Sequence, residues 1–221
     1  MTLIGIFLSL VPGALWLMFY LEEDEHQEPA GLIFQTFLVG GLFAFVALAA
    51  ELVTSPILSG IGIPTLSIFS ILIFAGIEEI VKFWAAWASI HKNPAFDEPV
   101  DAMIYMIVAS LGFATVENLG AIHSGIFHLN TAFETATLRF LGATLLHSLT
   151  SGLVGYYWAW SIREMNSKKF IIKGLCIATA LHAIFNLLIL NYGDIIYSVI
   201  FVTIVGMFVL NDFEKLKDKK V

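Results

Sequence analysis

Two adjacent glutamates and a lysine, Glu78, Glu79 and Lys82, sit inside the apolar stretch ILIFAGIEEIVKFWAAW at residues 71–87. A carboxylate shielded from bulk water can take a proton from a nucleophilic water, hold a metal ion or pair with a cation. Glu78 lies four and Glu79 three residues before Lys82, so either can pair with the ammonium on one helical face. One such pair leaves the second carboxylate without a cation from this segment. Which glutamate pairs stays open, because adjacent helical side chains diverge by about 100°. A charge at the bilayer centre costs roughly 2.5–3.5 kcal/mol, so three within five residues need a task or partners from elsewhere.

Candidate partners lie in three other apolar stretches. Glu117 and Asn118 occur in LGFATVENLGA, His147 in GATLLHSLTSGLVGYY, and His182 and Asn186 in ATALHAIFNLLIL. Two chemistries suit this set. In one, His147, His182 and a carboxylate such as Glu117 hold Zn2+ with an open position, where a bound water becomes a nucleophile near neutral pH. In the other, Glu78 or Glu79 acts as general base on water without a metal, and a histidine with an asparagine stabilises the oxyanion. There is no HExxH, the strongest sequence signature of a zinc protease. Cys176 is the only cysteine, which excludes an internal disulfide and a thiolate zinc site.

Helices in a membrane must position these groups. The chain is 58% hydrophobic and 13% charged, against about 25% charged in a soluble domain. The net charge of −7, with no basic stripe, gives no reason to expect nucleic acid. About 20 apolar residues span a bilayer. Seven stretches meet that template, at 2–20, 30–53, 66–90, 101–127, 138–161, 170–190 and 194–210. The fold expected is an all-α polytopic bundle of about seven spans in one domain, residues 1–221. VTSPILSGIGIPT at 53–65, with two prolines and two glycines, is expected to break the second helix, and FHLNTAFETAT at 127–137 to form a loop with a short interfacial segment.

Orientation follows from Lys and Arg near the span ends. One side holds Lys92, Arg163, Lys168, Lys169, Lys173, Lys215, Lys217, Lys219 and Lys220, and the other only Arg139. That places the C-terminal tail in the cytoplasm. At about 1.5 Å per residue, Glu78, Glu117, His147 and His182 then all lie roughly 12–18 Å from the outer surface. Four helices deliver ionisable groups to one depth. Gly112, Ala114, Gly120 and Ala121, with Gly142, Gly152 and Gly155, would let those helices approach closely.

At these residues the chain resembles PrsW-type intramembrane proteases, relatives of the CAAX prenyl endopeptidase and ABI superfamily. EEIVK at 78–82 is similar to the family's E-E-x-x-K motif. DEPVDAMIYMIVASLGFATVEN at 97–118 resembles its D-x-x-x-Y segment leading into G-F-x-x-x-E-N, and LLHSLTSGLVGY and LHAIFN resemble the two later histidine motifs. The resemblance implies a membrane-embedded protease with Glu78, Glu79, Glu117, His147 and His182 as the catalytic set. Lys82, Asp101, Asn118 and Asn186 would support them. It implies a membrane-anchored protein substrate, such as an anti-sigma factor, cut near the extracytoplasmic face of a prokaryotic cytoplasmic membrane. The family label is metalloprotease, while a glutamate-only mechanism has been argued for its superfamily relatives. Two rival readings use the same residues. A proton- or cation-coupled transporter also needs buried Glu, His and Lys, although no inverted repeat or pair of broken helices is present. An inactive binding protein would keep the fold and tolerate loss of the histidines.

Overall fold

The computed structural model describes residues 3–22, 26–124, 129–164, 167–192 and 195–217. Lys219 and Lys220, counted above for orientation, lie outside them. The described chain is helical: α1 (Leu3–Leu21), α2 (Ala30–Gly60), α3 (Ile68–Ile90), α4 (Asp101–Ser124), α5 (Leu129–Arg139), a π turn (Phe140–Thr144), α6 (Leu145–Arg163), α7 (Lys168–Tyr192) and α8 (Ile195–Lys217). The π turn joins α5 to α6 without interruption, so seven continuous rods result among the described residues. Five helices are long and apolar enough to cross a membrane, namely α1, α2, α4, α7 and α8. The other two expected spans, α3 and α6, are 23 and 19 residues long. They carry the charges at 78–82 and the polar run His147–Ser148 and Thr150–Ser151.

Among the described residues every rod except α4 exposes large apolar side chains; α4 is the axle. From Ala102 to Leu111 it is buried all round, and α1, α2, α3, α5 and α6 pack against it. A helix that is apolar on every face belongs inside such a bundle. Lipid tails are as apolar as leucine, so packing rather than water exclusion holds membrane helices together, and small residues permit the closest packing. A Cβ on Gly40 would stand 1.9 Å from the Ala109 carbonyl oxygen, and one on Gly112 would stand 1.9 Å from that of Phe37. These paired contacts set α2 against α4 backbone to backbone. Gly155 similarly seats α6 on Ala102, whereas nothing lies within 4 Å of a Cβ at Gly120.

Two boundaries differ from expectation. The second helix does not break at Pro56 but runs to Gly60, and the chain turns at Gly62, whose φ is +82°. Proline has a helical φ and lacks only its own N–H, so one lost bond to Leu52 is tolerable close to a helix end. The supposed loop at 127–137 is largely α5, which continues through the π turn into α6.

Candidate active site

Lys82 and Glu79 are both fully buried, and Lys82 Nζ donates to Glu79 Oε1 at 2.6 Å. The question the spacing left open is answered by this contact: Glu79 takes the ammonium and Glu78 is the surplus carboxylate. Glu79 Oε1 also accepts from Thr150 Oγ1 at 3.1 Å and from His182 Nδ1 at 2.8 Å. A carboxylate acceptor requires a proton on Nδ1, and His182 turns its other ring nitrogen, Nε2, toward Glu78 Oε2, 3.8 Å away.

His147 is held in the same manner. Its Nε2 lies 2.8 Å from Glu117 Oε2, and donating there leaves Nδ1 as an acceptor. Nδ1 is 2.9 Å from Lys82 Nζ and 3.9 Å from Glu78 Oε2. The two imidazoles meet edge to face with centroids 5.0 Å apart. Thus α3, α4, α6 and α7 bring Glu78, Glu79, Glu117, His147 and His182 into one cluster. The depth count made from span ends anticipates this meeting.

Asn118 and Arg139 brace the cluster at Glu117. Arg139 Nη2 donates to Glu117 Oε2 at 3.1 Å, and its Nε makes a short bond to Asn118 Oδ1. Asn118 Nδ2 donates to Thr144 Oγ1 at 3.1 Å and to the Ser9 carbonyl at 3.4 Å. The π turn makes this possible. Arg139 and His147 are eight residues apart, which on a regular helix separates them by about 80°. A π turn absorbs about one residue, which brings them to about 20° and lets both reach Glu117 Oε2. Such bulges recur at functional sites.

Sequence reasoning missed Arg139, Thr144 and Thr150. For Arg139 a signal existed: it is the lone cation on the side that otherwise has none. The two threonines look like ordinary helix residues in sequence. Asn186 lines the site without a hydrogen bond described for it. Asp101 is not brought to the site. It lies at the opposite end of α4, 16 residues from Glu117, or about 24 Å along the helix. There its Oδ2 accepts from the Asp97 and Glu98 amides at 2.9 and 2.7 Å, closing the turn that leads into α4.

A cavity of about 250 Å³ opens on the cluster, lined by Glu78, Glu117, Arg139, His147, His182 and Asn186 among others. Glu78 Oε2 is buried and makes no hydrogen bond. Glu78, His147 and His182 each offer one ligand atom within 4.8 Å of the others. The carboxylate of this triad is Glu78, where Glu117 had been expected; Glu117 instead holds the far nitrogen of His147. The donor types suit a metal, with Glu78 Oε2 and His182 Nε2 free of hydrogen bonds among the described residues, while His147 Nδ1 meets Lys82 Nζ at 2.9 Å. Ligating histidines usually donate their second ring N–H to a carboxylate, as His182 does to Glu79 and His147 to Glu117.

A family model described as PrsW family intramembrane metalloprotease matches residues 28–210. Curated relatives agree. The chain is 29% identical over 191 residues to Protease PrsW of Geobacillus kaustophilus, covering 82% of this chain and 78% of that protein. It is 26% identical to Protease PrsW of Bacillus subtilis, covering 86% and 84%. With Protease PrsW of Clostridioides difficile the identity is 25%, over 94% and 89% of the two chains. No solved structure matches. A helical membrane bundle with its carboxylates and histidines gathered at one buried cavity, matched over most of its length, belongs to the PrsW family of membrane proteases.

Proposed function

We propose that this protein is an intramembrane endopeptidase whose active site is Glu78, His147 and His182 with Glu117 at its mouth, and that it cuts a membrane-anchored protein near the extracytoplasmic face. The observation that carries the reading is the unpaired, buried Glu78 Oε2 standing 3.8 and 3.9 Å from one nitrogen of each histidine, beside a cavity. Buried polar groups normally find partners; Glu79 Oε2 also lacks one, but only Glu78 Oε2 stands between the two histidines beside the cavity.

Glu78, His147 and His182 are the residues that would hold a divalent metal such as zinc. Bound there, it would lower the pKa of a coordinated water and polarise the scissile carbonyl. The rest is done by the chain. Glu79 holds His182 in one tautomer, and Lys82 balances the Glu79 charge. Arg139 and His147 fix Glu117 through Oε2. Glu117 is 30% exposed, and it takes the proton of the attacking water. The water oxygen bonds to the carbonyl carbon, the C–N bond breaks, and Glu117 returns the proton to the leaving amine. Asn186 also lines the cavity and offers an amide donor to the carbonyl oxygen.

One contact favours a metal-free variant of this scheme. Lys82 Nζ sits on His147 Nδ1, the nitrogen a metal would need. In that case Glu78 is the base and the histidines serve the oxyanion. The membrane is the cytoplasmic membrane of a prokaryote, and an anti-sigma factor is the substrate the family resemblance suggests. The test is cleavage of a candidate single-pass protein by purified enzyme, with elemental analysis. Glu78→Gln, His147→Ala and His182→Ala each abolish cleavage while the protein still folds. Stoichiometric zinc lost together with activity supports the metal scheme, and full activity in metal-free protein supports Glu78 as base. Full cleavage by two of the three variants would overturn the assignment.

A further inference from the structure

A groove of about 540 Å³ runs between α2 and α4 beside the active site. Ala44, Phe45, Leu48 and Phe113 make its walls apolar, and two carboxylates, Glu51 and Glu117, also line it. Glu117 lines the catalytic cavity as well, so groove and cavity adjoin at its carboxyl group. Phe45 and Leu48 are exposed, which puts the open side of the groove toward lipid. Gly120, exposed and with open space where a Cβ would stand, also lines it. An extended peptide entering from the bilayer would therefore meet an apolar trough that ends at the carboxylate of Glu117.

Glu51 is the feature that packing does not explain. It is half-buried, and among the described residues it has no hydrogen-bond or ion-pair partner. The other carboxylate of the groove, Glu117, is already engaged by Arg139 and His147. A carboxylate in an apolar trough at membrane depth is costly unless a cation comes to it. We infer that the groove seats an extended segment of the substrate and that Glu51 selects a lysine or arginine within it. The inference rests on the proteolytic reading of the adjoining site. The chemistry is complementary. The stem of a basic side chain lies along the apolar wall while its head reaches the carboxylate, and a partly buried pair is little screened by salt. Basic residues are scarce at the outer ends of membrane segments, so this mark separates one substrate from many similar helices.

The experiment uses the full-length enzyme in liposomes and a series of single-pass peptides. Each carries lysine or leucine at successive positions through the outer half of its membrane segment. Wild-type protein cleaves the lysine peptide with roughly tenfold higher kcat/KM at one register. Glu51→Gln brings that ratio near one, and Glu51→Lys inverts it toward a glutamate peptide. Gly120→Leu fills the groove where space is free and raises KM across the series more than it changes kcat. Equal cleavage of lysine and leucine peptides by wild type at every register would overturn the inference. So would an unchanged ratio in Glu51→Gln, or equal loss of both peptides in that variant. If wild type cleaved no peptide of the series, the proteolytic reading itself would fall and the inference with it.

Discussion

Glu78 and Glu79 are neighbours in the chain, yet one substitution should unfold the site and the other should only silence it. Glu79 Oε1 takes bonds from Lys82, Thr150 and His182, and both members of its ion pair are fully buried. Removing one charge of a buried pair strands the other, at about 3–5 kcal/mol. Glu79→Gln is therefore expected to lower the melting temperature in detergent well below wild type. Glu78 Oε2 has no hydrogen bond to lose, so Glu78→Gln keeps the wild-type melting temperature and loses cleavage by at least about 100-fold. Equal melting losses in the two variants would show that Glu78 is structural. The sequence made the surplus carboxylate visible by counting one cation against two acids. It could not say which was surplus, because that depends on where Thr150 and His182 reach in from α6 and α7. Arg139 was hidden for a related reason: a cation near a span end has an ordinary role in topology, and its bond to Glu117 exists only through the π turn.

The α5–π–α6 rod is the element on which site geometry turns. The apolar stretch at 138–161 identifies a span, and 127–137, the least polar of the connections, suggests a loop with a short interfacial segment, but no residue type marks a π turn. The turn arises where Arg139 and Thr144, five residues apart, both bond to Asn118. On a regular helix five residues put them about 140° apart. Inserting one alanine after Leu141, which is exposed, should rotate Arg139 by about 100° away from Glu117. Cleavage should drop at least about tenfold, with His147 still in place and metal content unchanged. Deleting Leu141 should turn the π turn into α-helix, leave Arg139 and His147 seven residues apart on one face, and preserve most activity. If insertion and deletion behaved alike, the turn would have no part in alignment. The axle α4 was more legible. Its run of small and apolar residues, with Gly112 among them, predicts close approach, and the Gly40 and Gly112 contacts with Ala109 and Phe37 are that approach.

At the scale of the whole molecule, the apolar composition and the four ionisable groups at one depth were enough to foresee a helical bundle around a polar centre. The span count was less direct. Five helices satisfy an apolarity criterion, and the two that do not, α3 and α6, are depleted of apolar residues by the site they carry. The polar groups of the proposed site thus blur the membrane signal in the helices that carry them. The direction of the bundle follows from the charges at its ends. Lys92, Arg163, Lys168, Lys169, Lys173, Lys215 and Lys217 cluster at the end of the molecule opposite Arg139, which is bonded to Glu117. If the basic loops are retained inside the cell, the proposed catalytic cavity is expected in the extracytoplasmic half, with cleavage on that side. Single cysteines in a Cys176→Ser background test this. Ser59→Cys, exposed at the end of α2, should react with a membrane-impermeant maleimide in intact cells. Lys215→Cys, in the last turns of α8 and half-exposed, should react only after permeabilisation. The reverse pattern would put the active site on the cytoplasmic side and exclude extracytoplasmic cleavage, whatever the chemistry at Glu78.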